Sequence, residues 1–190
     1  MQYFYLIPGE RFKKHVVPAL TSSWQRRNYE KIGELERQLG IDVQLKTKLG
    51  VFRTDEWRIL VAESLLQTAA ELPEIETPLE SWARLLGQNR AAARHEFSPI
   101  QKAVLGSRDL FLGCYYRPEN AGWNDRGDVC ELAAWLRAVR PETWRSDELT
   151  QVLPDEREEE LAYAREWFGQ FAAMYKRSEQ EGYVIVCERI

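Results

Sequence analysis

Pro154-Asp155-Glu156-Arg157-Glu158-Glu159-Glu160-Leu161 leads through some twenty further residues into Tyr183-Val184-Ile185-Val186-Cys187, and the fold turns on what these two stretches become. Leu161, Ala164, Phe168, Phe171 and Tyr175 recur at three- and four-residue steps, which places them on one stripe of an α-helix, with Trp167 and Met174 widening it. Pro154 suits a first helical turn. Asp155, Glu156, Glu158, Glu159 and Glu160 put negative charge where the helix dipole is positive. Lys176 and Arg177 stand near the other end, and Gly182 can adopt the left-handed cap. The run Tyr183 to Cys187 has no helical period and is rich in β-branched residues, so it predicts a strand apolar on both faces and interior to a sheet. The opening Tyr3-Phe4-Tyr5-Leu6-Ile7 has the same character. Pairing of the two would bring the chain ends together in one α+β domain spanning residues 1–190, with about seven helices around a small sheet.

The remaining elements follow from local signals. Pro8-Gly9 ends the first strand, and Glu10 to Val17 suits a short helix with Phe12, Val16 and Val17 inward. Ser22 or Ser23 caps a helix to about Leu39, and residues 41–53 read as either a half-buried strand or a loop. Thr54 and Asp55 start a helix whose inward face includes Trp57, Leu60, Val61, Leu65 and Thr68, stopped by Pro73. Thr77-Pro78-Leu79-Glu80 and Ser98-Pro99-Ile100-Gln101 each combine an N-cap, a proline and a reciprocal Glu or Gln three residues on, which is the signature of a capping box. Leu110 to Tyr116 is a third strand or an apolar connector, and residues 117–128, dense in turn formers, predict a loop that ends at Asp128 as the cap of a helix with Val129, Leu132, Trp135, Leu136 and Val139 inward. Residues 142–153 connect this helix to the last one, with one helical turn at Ser146 to Leu149.

Ser98-Pro99-Ile100-Gln101-Lys102-Ala103-Val104-Leu105-Gly106 resembles the Pro-Leu-x-x-Ala-Ile/Val-Leu-Gly stretch of the YfbM-like family, small bacterial proteins of unknown function. Members of that family also open with a short aromatic strand, like Tyr3 to Ile7, and close with a helix, a glycine and an apolar strand, like Glu181 to Val186. The segment Asp55-Glu56-Trp57-Arg58-Ile59-Leu60 is loosely similar to a family stretch in which Asp and Lys precede a Trp and a Leu-His pair, but here Glu56 replaces the Lys and no His stands near Leu60. The resemblance implies an α+β fold and supplies no mechanism.

Composition narrows the functional classes. The net charge is -4, without a Lys/Arg cluster, which disfavours general nucleic-acid binding, because that binding rests on neutralising phosphates. The three cysteines, Cys114, Cys130 and Cys187, are too few and too far apart for a disulfide framework or a zinc knuckle. No signal peptide or membrane span is recognisable, so a cytoplasmic location is expected, with no membrane contact. His15 and His95, with no Cys or Asp at ligand spacing, point to no metal site, and no glycine-rich phosphate loop or cofactor motif stands in the chain.

Two groups of residues are the candidate partner-binding sites. Trp123, Asn124, Asp125 and Arg126 bring an aromatic, an amide and both charges to a predicted loop, and Glu158, Glu159 and Glu160 belong to the acidic helix start. These features point to a binding protein with a basic protein partner, of the kind represented by immunity-type inhibitors that neutralise a toxin by covering it. The alternative is an enzyme whose carboxylates, drawn from Glu96, Asp109, Asp125 and Asp128, converge in a pocket; a plainer one is an assembly component that dimerises through an aromatic face.

Overall fold

The computed structural model describes residues 2–16, 65–89, 91, 93–110 and 121–189. The helix expected from Ser22 or Ser23, the segment 41–53, the helix start at Thr54-Asp55 and the stretch 111–120 lie outside the described residues.

Strand β1 (Gln2–Pro8) runs into a helical turn, Gly9–Arg11, and a wider turn, Phe12–Val16. Helix α1 is Leu79–Leu85 and α2 is Pro99–Leu105. Strands β2 (Arg108–Asp109) and β3 (Ala121–Asn124) precede α3, Arg126–Ala138. Short 3-10 turns at Pro141–Thr143 and Ser146–Glu148 lead to the long helix α4, Arg157–Glu181, and to the final strand β4, Tyr183–Arg189.

The α+β class and the meeting of the two termini are as the sequence predicts. The sheet order is β1-β4-β3-β2, all neighbours antiparallel, with Phe4 opposite Cys187 and Leu6 opposite Ile185. One expectation changes: β4 is interior, but β1 is the outer strand. Its apolar run is buried nonetheless, from Phe4 to Ile7. The segment at 70–71 protects the free edge, since the Leu6 amide donates to the Glu71 carbonyl at 3.1 Å and the Ala70 amide to the Leu6 carbonyl at 2.7 Å. Gly182 takes the left-handed conformation, φ 71°, that turns α4 back into β4, and its carbonyl accepts from the Gly9 amide at 3.3 Å.

The predicted stripe of α4 forms the core against one sheet face. Leu161, Ala164, Phe168, Phe171, Met174 and Tyr175 are buried together with Phe4, Leu6, Ile185 and Cys187. Phe171 lies among Phe4, Trp82 and Tyr175 at centroid distances of 5.6, 5.1 and 5.2 Å. The Trp82 indole, fully buried, donates to the Ala164 carbonyl at 2.8 Å, so its one polar atom is satisfied. Residues that alternate with these, Tyr5, Ile7, Val184 and Val186, point to the opposite face and are also buried. On that face Phe12 packs on Trp123 at 4.8 Å.

Of three helix starts, two differ from expectation and one matches it. Helix α4 begins at Arg157, and Pro154, Asp155 and Glu156 form the turn before it, because the bond from the Glu156 amide to the Leu153 carbonyl closes a separate turn. The box at Thr77-Glu80 does not form: Pro78 precedes α1 without a side-chain cap. The box at Ser98-Gln101 does form and starts α2 as predicted.

Candidate functional site

Residues 121–124, read from sequence as part of a loop, are instead strand β3, paired with β4 from Ala121 opposite Glu188 to Asn124 opposite Ile185. The loop character that Gly122 and Asn124 lend the sequence is overridden by the ladder on both sides. Gly122 is needed there because a methyl group would overlap the Leu105 carbonyl oxygen and the Arg94 guanidinium. The cap of α3 also moves. Asp125, not Asp128, is the N-cap; its Oδ1 accepts from the Asp128 amide and Asp128 Oδ2 accepts from the Asp125 amide, both at 2.9 Å.

Asn124 is fully buried and all of its hydrogen-bonding capacity is used inside the protein. Nδ2 donates to the Lys102 carbonyl at 3.0 Å and to the Tyr175 hydroxyl at 2.8 Å, while Oδ1 accepts from the amide and hydroxyl of Ser107, each at 2.7 Å. The Tyr175 hydroxyl in turn donates a hydrogen bond to the Ala103 carbonyl at 2.7 Å. Burial, followed by the neighbouring Cys187, pushes the Tyr175 phenol well up, and burial does the same to the Cys187 thiol. Neither is available as an acid or a nucleophile near neutral pH.

Two arginines that the sequence did not single out tie this region together. Arg94 pairs with Asp109 at 2.8 Å and donates to the carbonyls of Leu105, Gly106 and Ala121 at 2.6, 2.7 and 3.3 Å. Arg108 meets Asp125 at 2.9 Å and Asp128 at 2.8 Å, and its guanidinium lies 5.8 Å from the Trp123 ring centroid. The hydrogen bond to Asp128 raises the Arg108 pKa further, against a smaller opposing effect of burial. All four oxygens of Asp125 and Asp128 therefore accept bonds from the protein itself. Arg126 is exposed on the first turn of α3.

A cleft of about 250 Å³ opens beside these residues, lined among others by Arg94, Lys102, Ser107, Arg108, Asp128 and Glu131. Of the four carboxylates considered for catalysis, Asp125 and Asp128 come together under one guanidinium. Asp109 faces Arg94, and Glu96 is exposed beside His95 at 3.6 Å. Among the described residues no three His, Cys, Asp or Glu side chains converge as a metal centre would require, and no helix is long and apolar enough to cross a membrane.

The acidic candidates sit at the far end of α4. Glu158 accepts from the Ser146 hydroxyl at 2.5 Å and Glu160 from the Ser81 hydroxyl, so the 3-10 turn Ser146–Glu148 and α1 are both tied to the helix start. Glu158 and Glu159 are exposed and Glu160 is half-buried. Arg145 neutralises Asp147 through two bonds of 3.0 and 2.7 Å, whereas Asp155, Glu156, Glu158 and Glu159 form no ion pair among the described residues. Leu153, in the turn before α4, is 62% exposed, the most exposed large apolar side chain among the described residues.

Among solved structures, the fold is similar to that of a protein of unknown function, YfbM from Escherichia coli, with a TM-score of 0.51 over 100% of this chain and 99% of that one at 11% sequence identity. The likeness is one of fold. No protein-family model and no curated protein matches the chain.

Proposed function

We propose that the protein is a binding protein that docks a basic protein partner on the acidic ridge around Leu153. The observation that carries this reading is the charge balance between Arg145 and Glu160: seven carboxylates against two guanidiniums, a local charge of -5 in a chain whose total is -4. The rest of the chain is thus close to neutral, and the ridge dominates its field. The bond between Ser146 and Glu158 sets Asp147 and Glu148 beside the start of α4, so the carboxylates of both segments share one surface. Leu153 gives that surface an apolar anchor with a charged rim, the arrangement in which a central contact supplies affinity and surrounding charge supplies approach rate and partner choice.

A protein that covers a basic toxin surface, as an immunity-type inhibitor does, is the form of this reading that the acidity favours. The internal pairing of Asp125 and Asp128 weighs for binding over catalysis by those carboxylates, since neither offers a free oxygen as a base. The experiment is capture of partners from the native host on the immobilised protein, followed by affinity measurement at several salt concentrations. Glu158→Lys with Glu159→Lys should lower affinity at least tenfold at low salt and flatten the salt dependence. Affinity unchanged across the salt series would remove the ridge from the account.

A further inference from the structure

The cleft of about 250 Å³ beside α3 has walls that the fold holds in place. Glu131 and Leu132 follow Asp128 by three and four residues, so these three lining residues share one face of α3. Lys102 of α2, Ser107 and Arg108 belong to the other side of the lining. Asn124 anchors that side through its bonds to the Lys102 carbonyl at 3.0 Å and to the amide and hydroxyl of Ser107 at 2.7 Å. Arg108 joins it to α3 through Asp128 at 2.8 Å. Walls fixed in advance lower the ordering cost of binding. The volume falls below the roughly 300 Å³ at which pockets for drug-sized ligands begin, so the cleft suits a ligand of metabolite size.

Most of the charge around the cleft is matched internally: Arg94 by Asp109, and Arg108 by Asp125 and Asp128. Two lining groups are not. The Lys102 ammonium and the Glu131 carboxylate form no ion pair or hydrogen bond among the described residues. Arg108 commits Nε and Nη2 to the aspartates and keeps the N–H donors of Nη1. The Ser107 hydroxyl, which donates to Asn124, keeps its acceptor lone pairs. With Asp109 and Asp125 included, three cations stand against four carboxylates, one negative charge in excess. A lone anion would meet that excess, and a lone cation would meet the Lys102 ammonium. A zwitterion adds no net charge and gives each unmatched group an opposite one, beside the buried Leu132 and main-chain walls that strengthen both attractions. We propose that the cleft binds a small zwitterion of the amino-acid class. Lys102 and Nη1 of Arg108 take its carboxylate, and Glu131 and Ser107 Oγ take its primary ammonium. The cleft shares no residue with the acidic ridge, so the site stands or falls independently of the docking reading.

The test titrates the full chain with L-alanine, N-acetyl-L-alanine and L-alaninamide and follows the amide NMR spectrum. A ligand this small is expected to bind in roughly the millimolar range. Saturable shifts centred on Lys102, Ser107, Arg108 and Glu131 are the expected result with L-alanine. The acetylated and amidated forms, which each lack one charge, should bind about tenfold more weakly or not at all. Glu131→Gln and Lys102→Met should each lower the affinity for L-alanine by about tenfold. Neither side chain has a partner to lose, so both variants should keep the parent spectrum away from the cleft and the parent melting temperature. No saturable shift at the cleft, an equal response to either blocked form, or undiminished binding in both variants would each overturn the proposal.

Discussion

Asn124→Ala tests whether the region read from sequence as a ligand loop is instead a structural clamp. The substitution removes four hydrogen bonds, of 2.7 to 3.0 Å, that join α2, the turn at Ser107, β3 and α4. Two of the abandoned partners keep another bond: the Lys102 carbonyl still accepts from the Gly106 amide, and the Tyr175 hydroxyl still donates to the Ala103 carbonyl. The amide and hydroxyl of Ser107 lose the acceptor they share. At about 1 kcal/mol for each net bond, with the fully unpaired donors costing more, the loss should be about 3–4 kcal/mol, or roughly 10 °C in Tm for a chain of this size. Urea unfolding of Asn124→Ala, Tyr175→Phe and the double variant measures it. Because the two side chains share a bond, the double variant should lose less than the sum of the singles by about 1 kcal/mol. A loss below about 1 kcal/mol for Asn124→Ala, or strict additivity, would refute the clamp.

Other outcomes follow from single features. Gly122→Ala places a methyl against the Leu105 carbonyl and Arg94 and 3.0 Å from the Arg108 carbonyl, all held by backbone or by multiple bonds, so the loss should exceed about 3 kcal/mol in the same unfolding assay. Ser178→Ala removes a buried hydroxyl that has no partner and improves helix propensity, so stability should hold or rise by up to about 1 kcal/mol; a clear loss would mean the hydroxyl is satisfied. The hydrogen bond from Arg137 holds the Glu179 carboxyl below its usual pKa, with desolvation opposing. A lowered folded-state pKa stabilises above the unfolded value, and that contribution is lost as pH falls through the folded one. Carboxyl NMR should show the Glu179 midpoint below that of an ordinary glutamate, and Arg137→Met should return it upward.

What the sequence revealed depended on how far apart the partners lie. The stripe from Leu161 to Tyr175 and the two apolar terminal runs were legible because burial imposes a period on each element separately. Their pairing followed from the need to cover both faces of each strand. The Ser98-Gln101 box was legible because its partners are three residues apart. The same spacing was present in Asp125 and Asp128, but the turn formers through Gly127 extended the predicted loop to Asp128 and put the cap there, three residues past the Asp125 that caps α3. Strand β3 was hidden because glycine and asparagine signal a loop, and only the flanking strands reverse that preference. Arg94 and Arg108 left no local signal: their acceptors stand 11 to 27 residues away, and nothing in the chain around either marks it as a tie. The acidic ridge was half legible. The run from Asp155 to Glu160 was plain, whereas its union with Asp147, Glu148 and the exposed Leu153 required the fold.

The most direct measurement compares one captured partner against two variants of equal thermal stability: Leu153→Ser with Glu158→Lys and Glu159→Lys, and Arg126→Ala on the opposite candidate. Docking on the ridge predicts at least a tenfold loss of affinity for the first, larger at low salt, and no change for the second. Retained affinity in the ridge variant together with loss in Arg126→Ala would contradict it and return the site to the start of α3.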